Sequence, residues 1–487
     1  MAASAEATLG KKTRARQLAK LKNHTVILGW SEKISTLVYE LYAANSNVKK
    51  AKLVLVSDLS TESMESEVPK LGNLGKIKIH YLTADVSKVE NLQLVRVDQA
   101  KSVIVLADGE NKDEKITKTL SALKDAGTVA AIVTELADPS IASRFESVIN
   151  VDSDTVAAKV IAQGSRFDDL EEVFLDLLNF ADDEIYFASI PALSGKTYAD
   201  SILAFNGASV IGLLENGVTK LNPSMSSILT ANTKVIAIAE DDDQIIYTGV
   251  RQDIAESKVE PRQRQQPEPA KVLVVGWSPL GKKVLRELSY FLTKGSKIHV
   301  VAQKDLVDPD EIRDLNFDNV GVSVELVSGE GNAEIEATQK NQPSEVIILN
   351  YPTMNIVEHE SRIEELMSVV GPQARVVYQW PPNYALGAVL MAQLSENPQL
   401  EPVLKDLFDV EGATVNLQPI SQYAELGQSV SFAELVAIAR NYGESAIGYR
   451  LANVSGRPGA SSIVLNPVKT REFVPATGDA LIVVGNL

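Results

Sequence analysis

The stretch His24-Thr-Val-Ile-Leu-Gly-Trp-Ser31 returns 247 residues later as Lys271-Val-Leu-Val-Val-Gly-Trp-Ser278. Each copy is a short apolar run of β character, ended by Gly-Trp-Ser and followed by a helical pattern. Self-similarity at this distance sets the domain count before any single residue is interpreted, and it divides the chain into two halves of one plan.

Behind the first copy, residues 53–57, 77–82, 102–106 and 129–134 read as buried strands; behind the second, residues 298–302, 322–327, 346–349 and 374–378 do the same. Helical patterns fill the gaps, which is the signature of a parallel sheet with crossover helices. Each half therefore opens with a Rossmann-like lobe. A long helical stretch then leads into a smaller, mostly β lobe. Residues 208–212, Leu221-Asn222-Pro223 and residues 234–239 are echoed by residues 445–449, Leu465-Asn466-Pro467 and residues 480–484. Between the halves, Glu260-Pro-Arg-Gln-Arg-Gln-Gln-Pro-Glu-Pro269 has no large apolar residue to give to a core and reads as a linker. The expected divisions are a basic lead-in (1–23), a first Rossmann-like lobe (24–165), a helical connection and first small lobe (166–258), the linker (259–270), a second Rossmann-like lobe (271–395) and a second helical connection and small lobe (396–487).

At 487 residues, 45% of them apolar, the chain exceeds what one core supports and has the means to fill two or more. The net charge of -17 argues against a nucleic-acid or anionic-membrane binder, which would displace counterions with basic surface. Cations are the more natural small partners, although an acidic surface also serves plain solubility. With no cysteine, disulfides, thiolate metal sites and cysteine nucleophiles are excluded. The four histidines, His24, His80, His299 and His359, stand at no metal-ligand spacing. No apolar run approaches the roughly 20 residues that cross a bilayer, so a soluble tandem without a pore of its own is expected. The N-terminus carries Lys11, Lys12, Arg14, Arg16, Lys20 and Lys22 but lacks the apolar segment of a secretory signal.

The residues after each first strand test for a dinucleotide site. The Rossmann fingerprint places glycines so that a pyrophosphate can approach a helix N-terminus. Here the loops read Gly29-Trp30-Ser31-Glu32-Lys33-Ile34 and Gly276-Trp277-Ser278-Pro279-Leu280-Gly281. Tryptophan follows the first glycine in both and serine stands where the second should be, so side chains would crowd a pyrophosphate. Asp58 follows the second strand where an acid would hold a ribose, while Gln303 occupies the matching place in the second half. A nucleotide or NAD held by Gly29, Trp30, Ser31 and Asp58, or by Gly276, Ser278 and Gly281, competes with a purely structural turn.

A hard cation such as calcium needs several converging oxygens. Asp58, Asp85, Asp108, Glu135 and Asp138 all fall at or near the carboxyl ends of first-half strands, the edge where open parallel sheets present ligands. A metal site and a set of separate solvated acids and helix caps both fit that placement. Glu330 and Glu334 are weaker second-half counterparts. Asp241-Asp242-Asp243 is read as a solvated edge, since adjacent side chains on an extended strand diverge. Val173, Phe174, Leu177, Leu178 and Phe180 make an apolar helical stripe that fits either a core or an interface. Enzyme signatures are missing: there is no Gly-x-Ser-x-Gly elbow, no phosphate-binding GxxxxGK[ST] loop, and no nucleophile, base and orienter set.

Taken in register, the His24 to Ser31 opening, Ala239-Glu-Asp-Asp-Asp243, the Lys271 to Trp277 opening, Glu330-Gly-Asn-Ala333 and Ala446-Ile-Gly-Tyr-Arg-Leu-Ala452 followed by Val464-Leu-Asn-Pro467 resemble the regulatory region of the CASTOR/POLLUX ion-channel family. The resemblance implies an α/β fold of two tandem RCK-type modules, each a Rossmann-like doubly wound parallel lobe, a helical connection and a small mixed α+β lobe. It further implies a homo-oligomer, a tetrameric ring of eight modules at the cytosolic face of a membrane. That ring would couple calcium or nucleotide binding to a transmembrane cation pore, supplied by an N-terminal segment absent from this sequence or by a partner chain. A stand-alone NAD(P)-binding protein or oxidoreductase and a passive scaffold are the alternatives.

Overall fold

The computed structural model describes residues 18–68, 77–165, 169–180, 183–251, 254, 268–312, 315, 317–328, 332–371, 374–379, 384–409, 412–452 and 462–486. Residues 259–267 of the linker, the basic residues Lys11, Lys12, Arg14 and Arg16, and Glu330 lie outside them.

The two β-branched runs that open the halves each become the centre of a parallel sheet. In the first, β1 (Thr25–Leu28) is flanked by β2 (Lys52–Ser57) and β4 (Ser102–Val105), with β3 (Lys78–Thr83), β5 (Ala131–Thr134) and β6 (Val148–Asn150) outside, in the order β3-β2-β1-β4-β5-β6. This is the doubly wound Rossmann order. All residues of β1 and β4 are buried, as expected of strands covered on both faces. Register places Val26 beside Val54 and Val103, so these residues share a face, which packs on Ile116, Leu120 and Leu123 of the helix Lys112–Asp125.

The antiparallel sheet of the first small lobe comprises β7 (Glu184–Ser189), β8 (Ser209–Glu215), β9 (Val218–Leu221) and β10 (Lys234–Ala239), ordered β7-β10-β8-β9. The second Rossmann-like sheet holds β11 (Lys271–Val275), β12 (Lys297–Gln303), β13 (Gly321–Val327), β14 (Glu345–Ile348) and β15 (Arg375–Tyr378), ordered β13-β12-β11-β14-β15. The second small lobe adds β16 (Thr414–Pro419), β17 (Val430–Ser431), β18 (Ser445–Arg450), β19 (Ile463–Leu465), β20 (Glu472–Phe473) and β21 (Ala480–Gly485). Its main sheet, β16-β21-β18-β19, repeats the order of the first small lobe. The expected fold class is the observed one, with β6, β7, β16, β17 and β20 among the strands that the sequence pattern did not single out.

The helices that follow the Rossmann-like lobes are exchanged. The helix Ser153–Gly164 was assigned by sequence to the first lobe, but its Ala157, Ala158, Ile161 and Ala162 pack in one core with Val272, Val274, Ile298 and Val300 of the second parallel sheet. Conversely, the helix Tyr384–Glu396 packs on the helix Ile34–Ala44 and on β4 and β5. The chain accordingly falls into two compact units, one comprising Met1–Ser153, Leu178–Ala181 and Tyr384–Glu401, the other Asp154–Leu177, Asp182–Asn383 and Pro402–Leu487. Residues 165 and 395, taken from the sequence as lobe boundaries, are thus not the ends of packing units. Neighbouring helical periodicity cannot reveal which sheet an apolar face will meet.

Within the second unit the two small lobes share one apolar core, in which Tyr198, Phe205, Val210 and Val235 meet Phe432, Leu435, Tyr449 and Val483. The duplicated Leu-Asn-Pro motifs lock this pairing reciprocally. Asn222 accepts a hydrogen bond from the Ser445 hydroxyl (2.9 Å) and donates to the Gly443 carbonyl (2.7 Å). Asn466 accepts from the Ser209 hydroxyl (2.9 Å) and donates to the Gly207 carbonyl (3.0 Å). Both asparagines hold positive φ, 37° and 41°, a conformation that asparagine tolerates better than most residues. Their own N–H groups donate to the carbonyls of Ile211 and Ile447, the residues that bulge out of β8 and β18. The Val173, Phe174 and Leu177 stripe is buried, with the Phe174 ring 4.6 Å from that of Phe408 of the same unit and tilted 31° to it.

Candidate functional site

The carboxyl edge of the first parallel sheet gathers the largest group of charged side chains singled out by sequence. Gly29 ends β1 with φ 88°, and a Cβ there would lie 1.9 Å from the Leu106 carbonyl oxygen at the end of β4. The close approach of two strand ends therefore requires this glycine whether or not a ligand binds. Trp30 swings outward and donates its indole N–H to Glu67 (2.6 Å). Ser31 is buried; its carbonyl accepts from Ile34 N–H and its hydroxyl from Lys33 N–H, which starts the helix Ile34–Ala44.

The five acids proposed as cation ligands do not act as one set. Asp58 accepts from the hydroxyl of Ser57 (3.2 Å). Asp85 accepts from the N–H and hydroxyl of Ser87 (2.9 and 2.6 Å), and these bonds hold its carboxyl below the usual range. Asp138 caps the short helix Pro139–Ala142 through Ser140 N–H (2.9 Å). Each satisfies its own turn, the local competition for backbone donors in which aspartate is favoured. Among the described residues no group of three or more His, Cys, Asp or Glu side chains is placed to hold a metal.

Asp108 and Glu135 are different, because Lys33 and Lys112 act on both and Lys33 acts on Glu32 as well. Lys33 Nζ lies 3.1 Å from Glu135 Oε2, and Lys112 Nζ lies 3.9 Å from the same oxygen. Burial pushes the Asp108 carboxyl upward; Lys33 and the Glu32 N–H oppose that push and Glu135 adds to it. Glu32 is raised by burial and then by Asp108. The result is a half-buried edge of three acids and two lysines. Sequence reasoning missed Lys33 and Lys112, since a lysine in a loop or first helical turn reads as solvated. It also missed Asp113, whose two oxygens accept the N–H groups of Ala137 and Asp138 at 2.9 Å and fix the loop after β5.

The equivalent edge of the second sheet is filled by its own side chains. Gly276 has φ 89°, and a Cβ there would meet the Leu349 carbonyl at 2.3 Å and Arg362 Nη2 at 2.6 Å. Arg362 is paired with Glu334 at 2.7 and 3.0 Å and donates to Leu349 O at 3.0 Å. Tyr351 donates to Glu334 (2.6 Å) and accepts Gln303 N–H (2.7 Å). Trp277 is buried, and its indole lies 2.8 Å from where a Cβ on Gly281 would stand. Ser278 accepts Leu280 N–H, closing the turn. Close to Gly276 and Gly281 the second-half edge thus holds a guanidinium paired with Glu334 and an indole. Glu334, ranked low by sequence, is a buried partner of Arg362. Arg362 itself was legible in principle: His359, Arg362, Ile363 and Leu366 follow helical spacing on the buried face of the helix Ile356–Val369.

A family model described as "Castor and Pollux, part of voltage-gated ion channel" matches residues 154–255, and one described as "Calcium-activated potassium channel slowpoke-like RCK domain" matches residues 20–134. The probable ion channel POLLUX of Arabidopsis thaliana is 24% identical over 95% of this chain and 64% of its own length. The ion channel CASTOR of Lotus japonicus is 24% identical over 92% of this chain and 60% of its own. The chain is similar to the CASTOR and POLLUX ion channels along nearly its whole length. It spans 55 to 64% of the length of these curated channels. The human SLO3 gating ring has the same fold, with a TM-score of 0.61 at 13% identity, covering 94% of this chain and 98% of that one. The similarity to CASTOR and POLLUX takes in both halves, so the helix exchange and the interlocked small lobes belong to the matched region. No helix among the described residues is long and apolar enough to cross a membrane.

Proposed function

We propose that this chain is the ligand-responsive gating region of a CASTOR/POLLUX-type cation channel, acting at the cytosolic face of a membrane through an oligomeric ring. What supports the reading is the combination of similarity to those channels along 95% of this chain, which is 64% of the length of POLLUX, and a tandem fold that covers 98% of a gating-ring chain. Among the described residues, the edge formed by Glu32, Lys33, Asp108, Lys112 and Glu135 is the best placed to receive an effector. Calcium is the effector that its chemistry favours: a divalent cation would displace Lys33 from Glu135 and recruit Asp108. A nucleotide fits less well, because Asp108 and Glu32 would repel its phosphates and the second-half edge is filled.

For binding to gate a pore, the effector must favour one arrangement of the modules over another. The test is a thermal shift of the purified chain with calcium, magnesium, NAD and ATP, accompanied by light scattering. A calcium-dependent rise of several degrees that is lost in Asp108→Asn and Glu135→Gln, with a change in assembly mass, is expected, since a ligand specific for the folded state raises its stability by mass action. Stability unchanged by every one of these ligands would leave a passive scaffold. Calcium binding should strengthen as pH rises, because the cation competes with the proton that burial favours on Asp108.

A further inference from the structure

We infer that β13, the outer strand of the second parallel sheet, pairs antiparallel with β13 of a second copy of this chain, about Val324. The order β13-β12-β11-β14-β15 gives β13 one neighbour, and among the described residues no strand lies beyond it. An open edge is a template for further pairing, and proteins that keep one free blunt it with lysine, proline, a bulge or a covering element. β13 reads Gly321-Val-Ser-Val-Glu-Leu-Val327, without lysine, arginine or proline, and its register with β12 runs unbroken from Gly321 to Val327.

Apolar side chains stand exposed along this edge. Val324 is 41% and Leu326 39% exposed, although their neighbours across the register, Val300 and Ala302, are fully buried. One apolar face of the sheet thus runs out to the edge and ends in solvent. The matching strand of the first half is protected: β3 opens on Lys78 and packs on the helix Thr61–Glu67. An exposed apolar edge is therefore not a requirement of the repeated fold.

Backbone direction and sequence together select the occupant. The Gly321 N–H donates to Ser296 O (3.4 Å) and Val327 O accepts the Lys304 N–H (3.0 Å), so both residues turn their backbone groups toward β12. By strand alternation Ser323 and Glu325 do the same, while Val322, Val324 and Leu326 direct theirs outward. Reversed on itself about Val324, the strand sets Val324 opposite Val324, Val322 opposite Leu326 and Ser323 opposite Glu325. Outward N–H and C=O groups then meet one another along the whole strand, and apolar side chains meet apolar ones on one face. On the other face Glu325 meets a serine rather than a second carboxylate, and His299 steadies both through hydrogen bonds to Ser323 (2.8 Å) and Glu325 (3.2 Å). A pattern that reads alike in both directions suits a two-fold contact between identical surfaces, which closes at two copies. The contact does not rest on the gating reading, which asks for a ring built through other surfaces.

Because the chain has no cysteine, single-cysteine cross-linking of the full chain tests the pairing directly. With a short bifunctional thiol reagent, Val324→Cys should give a covalent dimer, and Val129→Cys, at a position 82% exposed in the first half, should not. In light scattering, Val324→Lys should lower the mass by about twofold, whereas Val324→Ile should keep the mass of the parent chain. Circular dichroism of Val324→Lys should match that of the parent, since the side chain stands at an exposed edge. A parent chain that is monomeric at every concentration, or equal cross-linking at residues 324 and 129, would overturn the pairing. A mass unmoved by Val324→Lys would overturn it too, while leaving the ring of the gating reading in place.

Discussion

Lys469 is a buried lysine whose charge is costly to the fold. It is fully buried, donates to Ala208 O (3.2 Å) and Ser209 Oγ (3.0 Å), and lies 4.9 Å from the centre of the Phe432 ring. Burial pushes its ammonium down to about 7, with Asp183 pulling the other way. The unfolded chain keeps this proton up to about 10.5. Between those values the unfolded state holds more protons, so stability should rise as pH increases from 7 towards 10.5 and the penalty should be full below 7. The matching position in the first small lobe is Met225. Lys469→Met should therefore flatten that rise, as urea denaturation at pH 6.5, 8 and 9.5 would read; an unchanged pH slope would assign it to other groups. At Gly29 the cost is conformational. Gly29→Ala must place its Cβ 1.9 Å from a carbonyl oxygen at a φ of 88°, and a loss of about 2 kcal/mol or more is expected in chemical denaturation.

Among the elements, the paired Leu-Asn-Pro turns should matter most relative to their size. Each asparagine ties a turn of one small lobe to the first strand residue of the other, Asn222 to Ser445 and Asn466 to Ser209. Asn466 also donates to Asp183 (2.9 Å). Removing either side chain strands donors and acceptors at the seam, and Asn222→Ala and Asn466→Ala should each cost about 1–3 kcal/mol in urea denaturation. The sequence showed that the motif is repeated but not what it touches, because its partners lie more than 200 residues away. The strand-end acids repeat the lesson. Asp85 and Asp138 stood at positions suited to a ligand and proved to serve their own turns, whereas Asp108 and Glu135 are distinguished by lysines that periodicity does not mark.

For the whole molecule, the exchange of helices makes the halves interdependent. The helix Tyr384–Glu396, with Leu386, Val389, Leu390, Met391 and Leu394 buried, covers part of a first-half lobe, and the helix Ser153–Gly164 completes a second-half core. Expressed alone, residues 1–258 and 268–487 should each be insoluble or aggregate, whereas co-expression should yield a complex that purifies together; two independently soluble, monomeric halves would contradict the exchange. The β-branched runs from Thr25 to Leu28 and from Lys271 to Val275, their repetition and the glycine behind each sufficed to determine a tandem of doubly wound lobes, because burial on both faces leaves few other fates for such strands. Which sheet the helix Tyr384–Glu396 covers, which acids meet a lysine, and whether the space beside Gly276 stays open for a ligand were decided only by tertiary structure. Those outcomes depend on contacts between residues far apart in the chain, and local pattern carries no information about them.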